Sequence, residues 1–275
     1  MTTTNKEAEE AFEKGNNAGQ NNDLSTAIIN YTKAIELDPM DANAYNNRGN
    51  AYYELKKHPE AMADYTKAIE LDPENEFAYN GRGNAYYELK KHEEAIADYT
   101  IAIELDPIYA FFYTNRGNAY YELKKHEEAI ADYTIAIELD PMDAAAYFNR
   151  GNAYYELKKH EEAIADYTIA IELDPMDAYT NRGNAYYELK KHPEAIADYT
   201  KAIELNPKDA FAYNNRGNAY CELKKHEEAI ADYTIAIELD PIYAFFYTNR
   251  GVAYKALGKT KDANADFAKA KALEM

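Results

Sequence analysis

Residues 42–75 read ANAYNNRGNAYYELKKHPEAMADYTKAIELDPEN, and this stretch decides the fold because the chain repeats it. The string RGNAYYELKKH returns from Arg48, Arg82, Arg116, Arg150 and Arg182, and from Arg216 with Cys221 in place of a tyrosine. Glycines stand at 15, 49, 83, 117, 151, 183, 217 and 251, so every step is 34 residues except one of 32 between Gly151 and Gly183. Prolines at 39, 73, 107, 141, 175, 207 and 241 keep the same period. A fixed period of this length marks a stacked repeat architecture. Eight units result, at about 8–41, 42–75, 76–109, 110–143, 144–177, 178–209, 210–243 and 244–275. They form a single expected domain over residues 1–275 and leave no room for a separate catalytic one.

Within the quoted unit, Asp41 can cap a helix running from Ala42 to about Leu55, its carboxylate accepting first-turn amide hydrogens. Ala44, Tyr45, Arg48 and Tyr52 recur along one face at helical spacing. Lys56, Lys57 and His58 read as a short polar turn. A second helix is expected from Pro59 to about Leu71, with Pro tolerated in its first turn. Ala61, Tyr65, Ala68 and Ile69 give its apolar stripe, and Asp72-Pro73 stops it. Each unit is thus an antiparallel helix pair. One pair cannot bury its own face, so neighbours must stack into a solenoid.

These residues resemble the tetratricopeptide repeat: the 34-residue period, the spacing from Gly49 to Ala61, the aromatics Tyr45, Tyr52 and Tyr65, Ala68 and the closing Pro73. The likeness covers about residues 6–275. It implies an all-α, right-handed superhelical solenoid of eight helix-turn-helix repeats, whose first helices line a concave groove. It further implies protein or peptide binding without catalysis. The chain departs from the family in placing Arg before the glycine, where an apolar residue is usual, and Tyr where Trp is usual. Family members that bind chaperone C-terminal carboxylates use Lys and Arg on the groove face; here those positions are Asn, Thr or Phe, so that activity is not implied.

Composition narrows the partners. Thirty Lys and Arg against 49 Asp and Glu give a net charge of -19. Such a chain lacks the basic stripe that nucleic acid requires, and it is repelled by anionic lipid. Hydrophobic residues at 47% are enough for a core. The lone Cys221 excludes a disulfide framework and fits a reducing compartment, so a cytoplasmic location is expected. No apolar run reaches the length of a membrane span, and the start MTTTNKEAEEAFEK has no hydrophobic signal region.

The end units look capped. Internal second helices carry Ile at two stacking positions, such as Ile230 and Ile237, where the last unit has Asn264 and Lys271. The first helix is polar at Glu9, Glu10, Glu13 and Lys14, with Thr4 and Glu7 spaced as a capping box. A complete array is the expectation from these features.

Seven units pair an Arg before the glycine with an Asp fifteen residues after it: Arg48/Asp64, Arg82/Asp98, Arg116/Asp132, Arg150/Asp166, Arg182/Asp198, Arg216/Asp232 and Arg250/Asp266. The first unit lacks both, having Lys14 and Asn30. This joint change predicts an ion pair between the two helices of a unit; display of the Arg to an anionic ligand is the alternative. His58, His92, His126, His160, His192 and His226 occupy one slot, one per unit. Helices packed roughly 8–10 Å apart cannot bring successive imidazoles to about 2.0–2.1 Å from one zinc ion. No metal or cofactor is therefore expected. Neither a phosphate loop, a Ser/His/Asp set nor an HExxH motif is present, Cys221 has no activating neighbour, and Glu pairs such as Glu93-Glu94 suit helix starts. No enzyme is expected.

The functional signal lies on the first helices. After the glycine stands Asn16, Asn50, Asn84, Asn118, Asn152, Asn184 or Asn218, with Val252 in the last unit, and two before it in most units Asn47, Asn115, Asn149, Asn181, Asn215 or Asn249, with Gly81 in the third. Four after it come Tyr53, Tyr87, Tyr121, Tyr155 and Tyr187, then Cys221; five after it Glu54, Glu88, Glu122, Glu156, Glu188 and Glu222. Asn is a mediocre helix former, and its amide both donates and accepts. A ladder of Asn can hold an extended peptide backbone, Tyr adds rigid contact area, and Glu makes the face acidic. Phe77, Phe111, Phe211 and Phe245 near the helix starts could take apolar side chains. On this reading, trimming Asn118, Asn152 and Asn184 to Ala weakens binding and leaves the helices intact. The alternative is that duplication copied a neutral surface. A protein or peptide partner of basic charge is the expected ligand; a structural scaffold that self-associates or spaces an assembly is the rival. For the rival, Ile101, Ile135, Ile169 and Ile235 replace a Lys seen at the same slot in the other units, a candidate contact stripe on the convex face for a weak homo-oligomer.

One irregularity remains. Between Pro175 and Gly183 two residues are missing relative to other units. Two helical residues are worth about 3 Å of rise and about 200° of rotation. The sixth pair is therefore expected to start late, near Ala178 with Asp177 as cap, with Arg182 and Tyr186 in their usual facing. A bend between five-unit and three-unit sub-arrays is expected there.

Overall fold

The computed structural model describes residues 3–174 and 178–274. Sixteen helices and no strand occur among them, paired into eight hairpins. The chain divides into two compact units of four hairpins, residues 1–141 and 142–275. The first holds α1 (Thr3–Gln20), α2 (Leu24–Leu37), α3 (Ala42–Glu54), α4 (His58–Leu71), α5 (Glu76–Glu88), α6 (His92–Leu105), α7 (Ala110–Glu122) and α8 (His126–Leu139). The second holds α9 (Ala144–Glu156), α10 (His160–Leu173), α11 (Ala178–Glu188), α12 (His192–Leu205), α13 (Ala210–Glu222), α14 (His226–Leu239), α15 (Ala244–Ala256) and α16 (Thr260–Leu273).

The first helices begin as the sequence requires. Asp41, Asp143 and Asp209 each accept two amide hydrogens of the following turn, and Asn75 accepts one. The turn to the second helix is tighter than the polar string suggests. His58 is the first residue of α4 rather than part of the turn, and Lys57 precedes it. The reversal falls on Lys56, whose φ is 60°. Lys90, Lys124, Lys158, Lys190 and Lys224 repeat this left-handed conformation, and in the last hairpin Gly258 fills the same place at φ 72°. Glycine takes that conformation without steric cost, whereas a side chain is crowded by its own backbone.

Each hairpin closes on a small-against-large contact. Tyr65, Tyr99, Tyr133, Tyr167, Tyr199 and Tyr233 are among the largest wholly buried side chains, each on a second helix. The ring of Tyr133 lies so close to Gly117 that a Cβ there would sit 2.7 Å from it. Alanines such as Ala51, Ala61 and Ala68 line the remaining interface and are fully or nearly fully buried. The repeating glycine is thus a packing requirement, set by the ring opposite it.

The Arg–Asp pairs form as the covariation predicts, and they reach further. Arg48 Nε and Nη2 donate to both Asp64 oxygens at 2.7 Å, and the other six pairs repeat this fork at 2.7–2.8 Å. The third nitrogen, Nη1, crosses to the preceding hairpin: Arg48 to Thr32 at 3.0 Å, Arg82 to Thr66 at 3.3 Å, Arg116 to Thr100 at 3.1 Å. Arg182, Arg216 and Arg250 do the same with Thr168, Thr200 and Thr234. Tyr45 and Tyr52 flank the Arg48 guanidinium at 5.6 and 6.0 Å. The hydrogen-bonded Asp64 carboxylate raises the Arg48 pKa further, against a smaller opposing effect of burial. In the first hairpin Lys14 is exposed and Asn30 turns to the Thr26 carbonyl instead.

The shortened repeat resolves in part as expected. Helix α11 begins at Ala178, two residues shorter than α3, α5 or α9. Arg182 keeps its fork to Asp198 and its ring contact with Tyr186 at 5.9 Å. The expected bend is not supported: Arg182 still reaches Thr168 at 3.0 Å and Asn181 reaches Asn152 at 2.8 Å, the bonds that join other neighbouring hairpins. The compact units divide at 141/142, not between the fifth and sixth repeats. From Ala178 onward the helix keeps the usual facing, so its core residues Ala178, Gly183 and Ala185 stay buried. The Asp177 cap and the Thr4 half of the capping box lie outside the described residues and side chains.

Replacing Lys124 by Gly should raise stability by about 0.5–1 kcal/mol in chemical denaturation, because the left-handed residue loses its crowding; an unchanged or lower midpoint contradicts that account. Replacing Arg116 by Ala should cost about 3–5 kcal/mol, since Asp132 is left buried and unpaired. Arg116→Lys should recover little of this, because an ammonium cannot reproduce the three-way fork.

Candidate functional site

The first-helix face is built on the tyrosines buried beneath it. The hydroxyl of Tyr65 donates to Asn50 Oδ1 at 2.8 Å, and Tyr31/Asn16, Tyr99/Asn84, Tyr133/Asn118, Tyr167/Asn152, Tyr199/Asn184 and Tyr233/Asn218 repeat the bond at 2.7–2.9 Å. The same Oδ1 then takes a second donor from the next hairpin. Asn47 Nδ2 reaches Asn16 at 3.1 Å, Asn115 reaches Asn84 at 3.2 Å, Asn215 reaches Asn184 at 3.2 Å and Asn249 reaches Asn218 at 3.2 Å. The Asn ladder therefore exists, but its oxygens face inward. They satisfy a buried phenol and bind the neighbouring repeat, so they are committed before any peptide arrives. This corrects the expectation that Asn118, Asn152 and Asn184 could be trimmed without structural cost.

One rung is missing. At Gly81 no amide reaches back, so Asn50 Oδ1 keeps only the Tyr65 hydroxyl. The buried Asn46 Oδ1 is also left without a partner, whereas its counterparts Asn80 and Asn214 accept from Asn115 at 2.8 Å and Asn249 at 2.9 Å.

In each compact unit a pocket opens on this face. That of residues 1–141 has a volume of about 230 Å³ and is lined by Asn50, Tyr53, Glu54, Tyr65, Gly81 and Asn84, extending to Phe77 and Asn80. That of residues 142–275 has about 190 Å³ and is lined by Asn184, Tyr187, Glu188, Tyr199, Asn215 and Asn218, with Tyr155 beside them. The six shared positions correspond one to one. Neither pocket is lined by a Lys or Arg. Burial, then Glu88 and Glu54, raise the Tyr53 pKa; burial, then Glu122 and Glu88, raise that of Tyr87. Tyr155 responds to burial first and then to Glu188, and Tyr187 to burial and then to Glu222. Within each unit, carboxylates of successive repeats thus act on the same tyrosines. Glu54, Glu122 and Glu156 are exposed.

Tyr53, Tyr87, Tyr121, Tyr155 and Tyr187 each rest edge-on against the histidine that opens the next helix, at centroid distances of 5.1–5.4 Å. This accounts for five of the six histidines, His226 standing after Cys221 instead; the Nδ1 atoms of all six are buried without a partner. Asn149 is half-buried. Burial raises the Cys221 pKa, an effect the Tyr233 hydroxyl partly offsets. On the opposite helices Ile135 is 37% exposed, while Ile101, Ile169 and Ile235 are half-buried. Sequence reading missed the bridging threonines. It also missed that Phe77 belongs to an aromatic cluster with Tyr109 and Phe112, at 5.5 and 6.0 Å, and Phe211 to another with Tyr243 and Phe246, at 5.0 and 5.8 Å.

The Asn–Tyr bond is testable by a double-mutant cycle. Asn84→Ala should cost about 1–3 kcal/mol by stranding the Tyr99 hydroxyl, and adding Tyr99→Phe should recover part of that loss. Strictly additive effects in denaturant titrations would show that the bond contributes nothing.

Comparison with known proteins agrees with this geometry. The family described as TPR repeat matches residues 15–56, 83–124, 117–158 and 217–258. Families described as tetratricopeptide repeat match 42–75, 144–177 and 177–209, and 64–97 and 198–231. Hsp70-Hsp90 organizing protein 3 of Arabidopsis thaliana is 44% identical over 55 residues, 20% of this chain and 10% of that protein. Stress-induced-phosphoprotein 1 of Caenorhabditis elegans is 44% identical over 48 residues, 18% of this chain and 15% of that protein. The chain thus spans only a small part of these curated relatives. Among solved structures, YrrB, described as a TPR protein with an unusual peptide-binding site, aligns at TM-score 0.58 and 29% identity, covering 66% of this chain and 95% of YrrB. A tetratricopeptide repeat protein from Parabacteroides merdae aligns at TM-score 0.64 and 22% identity, covering 94% of this chain and 99% of its own, and supports the fold alone. Matches across most of its length, on a stack of helix pairs, show that the chain belongs to the tetratricopeptide repeat family.

Proposed function

We propose that the first-helix face of each compact unit binds an extended, basic segment of a partner protein, without catalysis. The observation that carries this reading is the recurrence of one pocket in both units, with six corresponding positions, a Glu at its rim and no cation in its lining. The inward commitment of the Asn oxygens refines the chemistry. What the column can offer a peptide is amide N–H to its carbonyls, while the Tyr rings supply contact area and the Glu row supplies charge. The peptide-binding site described for YrrB supports a peptide ligand here, as do the curated relatives named for organizing Hsp70 and Hsp90. Self-association through Ile101, Ile135, Ile169 and Ile235 draws less support, since three of the four are half-buried. Among the described residues no helix is long and apolar enough to cross a membrane. The lone cysteine suits a reducing compartment, and on that ground we place the protein in the cytoplasm.

A labelled peptide of alternating Lys, Arg and Gly, titrated by fluorescence anisotropy, tests the reading. Binding should saturate and weaken as salt shortens the reach of exposed charges. Combined Glu54→Gln, Glu88→Gln and Glu122→Gln should lower affinity roughly tenfold, at a few tenths of a kcal/mol per exposed charge pair. Equal binding of an acidic peptide, or indifference to all three substitutions, sinks the proposal.

A further inference from the structure

The two corresponding pockets differ at one floor residue and at one wall position, where Tyr155 stands beside the second pocket and Gly19 holds the equivalent place before the first; the floor difference predicts a difference in ligand. In residues 142–275 the floor is Asn215, whose amide closes onto Asn184 Oδ1 at 3.2 Å. In residues 1–141 the floor is Gly81. The amide is gone, Asn50 Oδ1 regains an unused lone pair, and the pocket deepens until Phe77 forms part of its wall. Phe77 is 45% exposed yet held in place, because Tyr109 and Phe112 meet its ring edge-on from behind. The corresponding Phe211 does not line the second pocket.

We propose that the Gly81 pocket is an anchor subsite for one arginine side chain of the bound segment, and that the Asn215 pocket is not. This rests on the peptide-binding reading and names what that segment must contain. The chemistry matches arginine part by part. Phe77 and Tyr53 offer aromatic surface to an aliphatic stem and to the face of a guanidinium. Asn50 Oδ1 and the Glu54 carboxylate offer acceptors to its fork of N–H donors. A wholly apolar side chain would leave both acceptors unmatched. A carboxylate would meet Glu54. The floor at Gly81 carries no side chain, and the Tyr65 ring packs to within 2.5 Å of where a Cβ there would stand, so a residue with a side chain would have to displace a wall of the pocket.

The test uses the full chain and three capped tripeptides, acetyl-Gly-X-Gly-amide, with X as arginine, citrulline or norleucine. The Asn side-chain amide resonances of each pocket are followed by NMR. The arginine peptide should shift Asn50 and Asn84 saturably, and Asn184 and Asn218 at least roughly fivefold more weakly. Citrulline, equal in shape but uncharged, should bind the first pocket roughly fivefold more weakly than arginine, and Glu54→Gln should erase that preference. Gly81→Asn should abolish binding there. Should the crowding against Tyr65 unfold that variant, Asn215→Gly supplies the reverse test, since it should give the second pocket the arginine response of the first. Norleucine binding as tightly as arginine, equal response at both pockets, or an Asn215→Gly chain with no gain would each overturn the proposal. If long basic peptides still bind while these outcomes fail, the groove reading stands and the anchor alone falls.

Discussion

The stack depends on a guanidinium that does three jobs at once. Its Nε and Nη2 lock the second helix of its own repeat through Asp, and its Nη1 ties the second helix of the repeat before through Thr. Intra-repeat and inter-repeat geometry therefore cannot vary independently, because one planar group sets both. A fork of this kind is directional, and apolar contact is not. With an interface built mostly of Ala, Gly and Tyr, apolar burial alone would leave the register of one hairpin on the next loosely specified. The arginine supplies the missing specificity. The shortened sixth repeat illustrates it: two residues are lost, yet Arg182 finds its Asp and its Thr as the other arginines do, and the hairpin is seated in register.

The second column, Asn on Tyr, follows the same logic nearer the surface. A large buried ring opposite a glycine fills space well, but its hydroxyl must end on an acceptor. Asn one residue after the glycine meets that need, and the next repeat's Asn then uses the remaining lone pair. Recurrence of Asn is thus explained by stability, and repetition alone says little about a ligand. Variation is more informative. The second residue of the first helix is Asn43, Phe77, Phe111, Ala145, Phe211 or Phe245 in repeats two to five, seven and eight. These side chains are free of the Arg and Asn columns, so they can differ without loosening the stack.

Much of the fold was legible in the sequence because it rests on period. Gly, Pro and the apolar spacing located every helix pair, and the joint loss of Arg and Asp in the first repeat exposed the ion pair. Contacts between repeats were harder to read. The Thr of Thr32 or Thr100 stands in every repeat that another repeat follows, and only the last departs, with Ala268. The Thr and its Arg sit in different repeats, so their joint absence falls at opposite ends of the chain, Ala268 in the last repeat and Lys14 in the first, and does not show within any one unit. The lysine in the left-handed turn was hidden for a different reason: Lys56 looks like an ordinary polar residue, and only Asn22 and Gly258, at the same place in the first and last repeats, hint at the backbone requirement. The pocket residues stand out in the sequence, but the direction their amides face does not. An Asn on a half-exposed face serves equally well inward or outward until the buried phenol is located.

The two compact units bring these threads together. Phe77, Ile108, Tyr109, Phe111 and Phe112 recur 134 residues later as Phe211, Ile242, Tyr243, Phe245 and Phe246, so the aromatic cluster has been carried as a block. Duplication explains the resemblance of the two pockets without invoking a ligand. It does not explain Gly81. The glycine removes a rung that the stack otherwise uses, strands Asn46 Oδ1 in the interior and adds backbone freedom to a helix, each of which is unfavourable. The Tyr65 ring takes up the space a Cβ there would fill, so the lost rung is exchanged for closer ring packing and a larger pocket, and the demands of binding and of stacking meet at this position. By that argument the functional information in this chain lies less in what its repeats share than in the few positions, Gly81 first among them, where corresponding pockets part.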